Sequence, residues 1–218
     1  MNIFLDTADR DFIKKMLPTG LVDGITTNPS ILSKAGGDVK ALLADICAMV
    51  PGPVSIEAVE KEPEAMFKQA LRIAAFAKNA VVKIPFMPDY VPVIKRLVVE
   101  GVTVNVTLIF SPLQGMMAAK LGAQYISPYV GRWDDAGADG LELLEQTVDL
   151  NNLHDAETLV LAASIRSVLQ WQKAALVGAD IVTVPPAIFE QALMQPLSER
   201  GMRQFDEDWQ RAGALLLL

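Results

Sequence analysis

A parallel eight-stranded α/β barrel, (β/α)8, is the fold class this sequence predicts, and two observations carry that expectation. Eight short segments rich in Val, Ile and Leu recur along the 218 residues, separated by stretches with helical patterning. Most of these segments are apolar at successive positions, as burial on both faces of a parallel sheet requires, whereas half-exposed antiparallel strands would alternate. Strand followed by helix, repeated, implies parallel strands joined by helical crossovers.

The eight segments span 3–6, 24–27, 54–58, 81–85, 102–108, 125–128, 159–164 and 181–185. Between the third and fourth, Ala65, Met66, Gln69, Ala70, Ile73, Ala74 and Ala77 trace one helical face; between the fourth and fifth, Val91, Ile94, Leu97 and Val98 trace another. Helix punctuation agrees. Asp38 precedes a helical stretch over 39–49, Pro63 suits a first turn, and Gly101, Gly122 and Gly178 suit helix ends. Beyond the eighth unit, 201–212 reads as an additional carboxy-terminal helix, and 1–218 reads as a single barrel domain without a linker. The length, 218, lies below the roughly 250 residues usual for such barrels, so the connections must be short. An open doubly wound sheet is the structural alternative, although no G-x-G-x-x-G or G-x-x-x-x-G-K loop supports it.

With 51% hydrophobic, 21% charged and 6% aromatic residues, the composition is that of a protein with a large aliphatic core. The net charge of −7, from 26 acidic and 19 basic residues with no run of Lys and Arg, argues against a nucleic-acid partner. It leaves sugar phosphates open, because a few local cations and backbone donors decide their binding. Cys47, the only cysteine, falls among Leu42, Leu43, Ile46 and Val50 at helical spacing and reads as core. One cysteine excludes an intramolecular disulfide framework or a cysteine zinc site and fits a reducing cytoplasm. Asp6, Asp9 and Arg10 come too early for a secretory apolar region, and no apolar run approaches the ~18 residues that span a bilayer, so neither export nor a membrane is expected. The four leucines at 215–218 either pack onto a neighbouring subunit or form a loose tail.

In α/β barrels the reacting groups project from the carboxyl ends of the strands, so polar residues there are the informative ones. Asp6 closes the first segment, Asn28 follows the second, Glu57 ends the third and Lys83 lies in the fourth. Asn105 and Thr107 lie in the fifth, Ser127 and Tyr129 at the sixth, and Ser164 ends the seventh, with Arg132 and Arg166 just beyond. Lys83 is the most telling, since Ala80-Val81-Val82-Lys83-Ile84-Pro85 puts an ammonium into a doubly buried strand. Burial favours the neutral amine, the form that attacks a carbonyl carbon, and lowering its pKa from ~10.4 towards ~7.5 corresponds to about 4 kcal/mol. A buried ion pair with Glu57 is the plainer reading, and both can hold together.

Asn105 and Thr107 are two residues apart, as are Ser127 and Tyr129, so each pair points to one face and suits the hydroxyls of a small polyol. Arg132, Ser164 and Arg166 offer donors that could grip a phosphate, although an isolated Arg after a strand is more often a surface ion pair. Met116, Met117, Met194 and Trp171 read as packing residues, and the lone His154 stands away from every strand end. One histidine and one cysteine make no metal-ligand constellation, so a metal-dependent mechanism and a Ser–His–Asp hydrolase are both disfavoured.

Six motifs in order resemble the strand ends of the transaldolase family: Phe4-Leu5-Asp6-Thr7, Gly24-Ile25-Thr26-Thr27-Asn28-Pro29-Ser30, Val82-Lys83-Ile84-Pro85, Asn105-Val106-Thr107-Leu108-Ile109-Phe110-Ser111, Ser127-Pro128-Tyr129-Val130-Gly131-Arg132 and Ala162-Ala163-Ser164-Ile165-Arg166. Phe205-Asp206-Glu207-Asp208-Trp209 resembles the carboxy-terminal helix of the short-chain branch, which includes fructose-6-phosphate aldolase. The resemblance implies an imine at Lys83, acid/base work by Asp6, and a catalytic water held by Glu57 and Thr107 and oriented by Tyr129. It further implies that Asn28, Asn105 and Ser127 bind a dihydroxyacetone unit and that Arg132, Ser164 and Arg166 bind the distal phosphate. No cofactor or metal is implied, and chains of this length resemble subunits of pentameric or decameric homo-oligomers. Glu57 and Asn105 resemble the transferases, whereas Tyr129 resembles the aldolase branch and 86–90 departs from the usual segment. The expected activity is transaldolase; a lyase releasing dihydroxyacetone and a silent sugar-phosphate binding protein are the rivals.

Overall fold

The computed structural model describes residues 1–212. Strands β1 (Asn2–Asp6), β2 (Gly24–Thr26), β3 (Val54–Glu57), β4 (Ala80–Pro85), β5 (Val104–Ile109), β6 (Tyr125–Pro128), β7 (Leu159–Ala162) and β8 (Ile181–Val184) pair in parallel in chain order. The last pairs with the first, from Asn2 with Ile181 to Leu5 with Val184, which closes a (β/α)8 TIM barrel and excludes the open sheet. The short connections expected from the length are present, because most helices begin within a few residues of the preceding strand.

Helix α1 (Arg10–Met16) follows β1, and β2 is followed by two helices, α2 (Pro29–Ala35) and α3 (Val39–Met49). Then come α4 (Pro63–Ala74), α5 (Val91–Val99) and α6 (Pro112–Leu121) after β3, β4 and β5, and α7 (Val130–Asp135) with α8 (Gly140–Leu153) after β6. Helices α9 (Val168–Leu176) and α10 (Pro186–Leu193) complete the ring. Their starts are written in side chains that accept from otherwise unpaired first-turn amides: Asp9 for α1, Asn28 for α2, Asp38 for α3 and Ser111 for α6.

Alternation along each strand sorts the core into two layers. Leu5, Ile25, Val54, Ile56, Val82, Ile84, Val104, Val106, Ile126, Val160 and Val182 point outward and pack under the helices, together with the buried Cys47. Phe4, Leu161, Ala163, Ile181 and Tyr129 point inward. At the amino end of the barrel, Phe4 pairs with Gly24, and a Cβ there would lie 2.8 Å from the Phe4 ring, so the glycine makes room for the plug. Above that apolar floor the inward positions turn polar.

Two expectations need correction. The carboxy-terminal helix α11 is Pro196–Ala212 and so begins before 201, because proline is suited to a first turn and Gly201 lies in its interior without breaking it. Of the four residues read as packing, Trp171 stacks on Phe189 with centroids 6.0 Å apart and Met116 is half-buried, but Met117 and Met194 are 44% and 66% exposed. The leucines at 215–218 lie outside the described residues.

Candidate active site

Strand register sets the centre of the site. Glu57 pairs with Lys83 and Lys83 with Asn105, so three polar residues sit abreast on β3, β4 and β5, all turned into the barrel. The Lys83 Nζ lies 3.2 Å from Glu57 Oε2 and donates to the Thr27 carbonyl at 3.2 Å, with the lysine side chain 5% exposed and the glutamate 13%. Nearly every other charged pair among the described residues is a surface pair; this one is enclosed.

Three hydrogen-bonded groups surround it. Thr26 donates to Asp6 Oδ1 at 2.8 Å, and its hydroxyl also meets that of Thr183 at 2.7 Å, linking β1, β2 and β8. Ser127 donates to Asn105 Oδ1 at 2.7 Å while the Asn105 amide donates to Ser55 Oγ at 3.2 Å, linking β6, β5 and β3. Thr107 donates to the Tyr129 hydroxyl at 3.1 Å. No fully buried side-chain polar atom among the described residues lacks a partner, so this interior is a satisfied network.

The network lines a small, partly open cavity of about 80 Å³ formed by Asp6, Thr26, Asn28, Lys83, Asn105, Ser127, Tyr129, Arg132, Leu161, Ala163, Ser164 and Thr183. A more open groove of about 830 Å³ adjoins it, running between the β1–α1 turn and the α2–α3 turn, and shares Asp6 with it. The structure thus brings together Asp6, Asn28, Lys83, Asn105, Ser127, Tyr129, Arg132 and Ser164, with Glu57 and Thr107 one contact behind. Arg132 is exposed and lays its guanidinium 4.9 Å over the Tyr129 ring. Arg166 is different: its guanidinium pairs with Asp135 at 2.6 Å, half-exposed and away from the cavity lining.

Among the described residues three non-glycines have positive φ, and two of them lie at the same rim, the third being Asp155 after α8. Ser164 has φ 60 and Leu108 φ 55, the latter where the β5–β6 register shifts between Val106 and Ile109. Such left-handed conformations cost an L-residue about 1–2 kcal/mol, so the surrounding contacts must hold them. Ser164 is held from across the rim by Gly131, whose amide donates to the Ser164 carbonyl at 3.0 Å and whose missing Cβ would lie 2.3 Å from that oxygen.

The electrostatics correct one expectation. Burial, the largest influence, does pull the Lys83 ammonium down, but Tyr129, Glu57 and Asp6 together outweigh it and leave the lysine above its ordinary value. The resting lysine therefore holds its proton among these partners. Asp6 goes the opposite way to an ordinary paired carboxylate: burial raises it, and Lys83 and Thr26 offset that only in part. Sequence reasoning missed Thr26, Ser55 and Thr183. They resemble ordinary small or β-branched strand residues, and only the inward alternation shared with Asp6 and Lys83 could have singled them out.

Closed parallel strands with a buried lysine–carboxylate pair at their carboxyl ends define a (β/α)8 barrel with a charged cavity at the face where such barrels carry their sites. The chain belongs to the transaldolase/fructose-6-phosphate aldolase family, whose model matches residues 3–216. A probable transaldolase of Caulobacter sp. strain K31 is 44% identical over 217 residues, covering 100% of both chains. One of Leptospira biflexa serovar Patoc is 44% identical over 208 residues, covering 95% of this chain and 97% of that one. Among solved structures, a putative fructose-1,6-biphosphate aldolase from Coccidioides immitis superposes with a TM-score of 0.58 at 12% identity, over 87% of this chain and 77% of the other, a likeness of fold. Family membership carries an activity of the transaldolase or aldolase type.

Proposed function

We propose that this chain is a transaldolase that moves a dihydroxyacetone unit between sugar phosphates through a Schiff base on Lys83. The observation that carries the reading is the Lys83 amine itself, almost wholly buried yet lining the cavity, with Glu57 at 3.2 Å to receive its proton. The neutral amine adds to the ketose C2, and loss of that oxygen as water gives the iminium. Asp6 removes the proton of the C4 hydroxyl, the C3–C4 bond breaks, and its electron pair flows to the iminium, leaving an enamine and a free aldehyde. An acceptor aldose phosphate then takes the enamine carbon at its aldehyde carbon, the new alkoxide recovers the proton from Asp6, and water releases the product ketose.

Glu57, Thr107 and Tyr129 support the proton transfers through a water, by their position behind the amine. Asn28, Asn105 and Ser127 serve the dihydroxyacetone hydroxyls, and Arg132 with Ser164 the phosphate; Arg166 would reach it only by leaving Asp135. A small, partly open cavity of about 80 Å³ at the amine suits the head of the ketose and leaves the rest of the sugar to the adjoining groove. The exposed Leu197, Met202, Phe205 and Trp209 of α11 support a homo-oligomer, the pentamer or decamer of the family resemblance, which sedimentation equilibrium tests.

Borohydride reduction with fructose 6-phosphate, followed by peptide mapping, tests the linkage; a reduced adduct anywhere but Lys83 overturns it. The Tyr129 hydroxyl, held by Thr107, favours a second reading in which the enamine carbon takes a proton in place of the aldehyde and water then hydrolyses the iminium, releasing free dihydroxyacetone. Product formation that depends on added erythrose 4-phosphate supports transfer, and an equal rate without it supports the lyase.

A further inference from the structure

We infer that Thr183, on β8, is a positioning residue for Asp6, acting through Thr26 as the far end of a two-hydroxyl relay. The inference rests on the acid/base role proposed for Asp6 and goes beyond it, to how that carboxylate is held ready.

The direction of the relay follows from counting protons. A threonine hydroxyl has one proton, and Thr26 spends its own on Asp6 Oδ1 at 2.8 Å. The 2.7 Å contact between Thr26 and Thr183 must then be donated by Thr183. With Asp6 ionised, the order is Thr183 to Thr26 to Asp6, each bond polarising the next. Protonating Asp6 removes the negative charge that strengthens the bond from Thr26 and, through it, the bond from Thr183. The relay therefore favours the ionised carboxylate, the form that takes up the C4 hydroxyl proton, and fixes which Asp6 oxygen is engaged.

Geometry gives the relay little freedom. Thr183 is 3% and Thr26 1% exposed, and β1 pairs with both neighbouring strands, Phe4 with Thr183 and Asp6 with Thr26. The charged groups facing Asp6 are Lys83 from β4, with Glu57 of β3 behind it, and Arg132 at the opposite rim. On the groove side stand Asp9, Arg10 and Asp11 of the β1–α1 turn and Lys34 and Asp38 from α2 and its following turn, Arg10 being paired with Asp45. Lys83 and the relay thus act on Asp6 in the same sense, against its burial.

Thr183→Val keeps the shape and removes the proton. Its acid limb for ketose cleavage is expected to move up by about half a pH unit, about a threefold loss of kcat below the limb and little above it. Thr183→Ser should restore the wild-type profile, and Thr183→Val should add no shift in a Thr26→Val background. Should the valine variant fold poorly, Thr183→Ala is read the same way. Borohydride trapping at Lys83 is expected to persist in every variant. A Thr183→Val profile that superimposes on wild type, or a drop by one factor at all pH values, overturns the relay while leaving Lys83 intact. Absence of any adduct in the wild type overturns the underlying reading instead.

Discussion

Replacing Lys83 by methionine tests the enclosed ion pair in two independent ways. The substitution fills nearly the same volume but removes the cation shared by Glu57 and Asp6, leaving two carboxylates in a space where the lysine is 5% and Glu57 13% exposed. Breaking a buried pair by removing one partner costs about 3–5 kcal/mol. Because Glu57 keeps some contact with solvent, the lower end, about 3 kcal/mol, is the expectation, or a fall in Tm of about 6–12 °C for a chain of this size. That loss should depend on pH with a definite sign. Asp6, raised by burial and now without the Lys83 cation that pulled it back, binds its proton more tightly in the folded than in the unfolded chain, so the deficit grows as pH rises through its folded value and fades towards pH ~4, where the unfolded carboxylate also protonates. Calorimetric melting at pH 5 and pH 8 is the assay, with Lys83→Met/Glu57→Gln expected to recover much of the Tm while both variants lose the borohydride adduct. Equal Tm deficits at the two pH values would refute the reasoning.

Burial holds the Asp6 carboxyl above its usual value, with Lys83 and Thr26 pulling it back in part, so cleavage should rise with pH through a limb above the ordinary carboxylate value of about 4. The same shift makes Asp6 a group whose stabilising contribution is present at low pH and lost as pH rises through its folded value. Asp6→Asn should cut kcat by at least about 100-fold yet keep the Lys83 adduct, as trapping at equal wild-type and variant concentrations would reveal. Gly131→Ala places a Cβ 2.3 Å from the Ser164 carbonyl, so a loss of about 1–3 kcal/mol is expected, with KM rising more for phosphorylated than for unphosphorylated ketoses. Tyr129→Phe removes the partner of the buried Thr107 hydroxyl at a cost of about 1 kcal/mol, and denaturant melts together with the rate of adduct hydrolysis would register both consequences.

The barrel was legible because doubly buried strands leave a simple mark: runs such as Val81-Val82 and Ile84 flanked by helical patterns admit few folds. The pairing of Lys83 with Glu57 was legible for the same reason, since two polar residues on adjacent strands of such a sheet must answer one another. The sign of the lysine's shift was not, because it depends on Tyr129 and Asp6 approaching from other elements, a sum over distances that no strand pattern contains. Thr26 and Thr183 escaped because a threonine in a strand is unremarkable until its neighbour across the barrel is known. The ion pair of Arg166 with Asp135, thirty-one residues earlier, was not legible either, because it joins two segments that no local pattern connects. The start of α11 escaped because Gly201 suggested a boundary where the helix simply continues.

The bond between Ser127 and Asn105 has a stereochemical consequence. Asn105 is held from both sides, its carbonyl accepting from Ser127 and its amide donating to Ser55, so the plane of the side chain is fixed between β3 and β6. On the proposed transaldolase reading, a three-carbon fragment docking there would meet a wall fixed by the ladder between β5 and β6, which would turn one face of the enamine to the incoming aldehyde. A slip of β6 by a single residue would send Ser127 outward. On that same reading, the handedness of a new sugar carbon would be, at root, a matter of which rung of the sheet its wall was hung on.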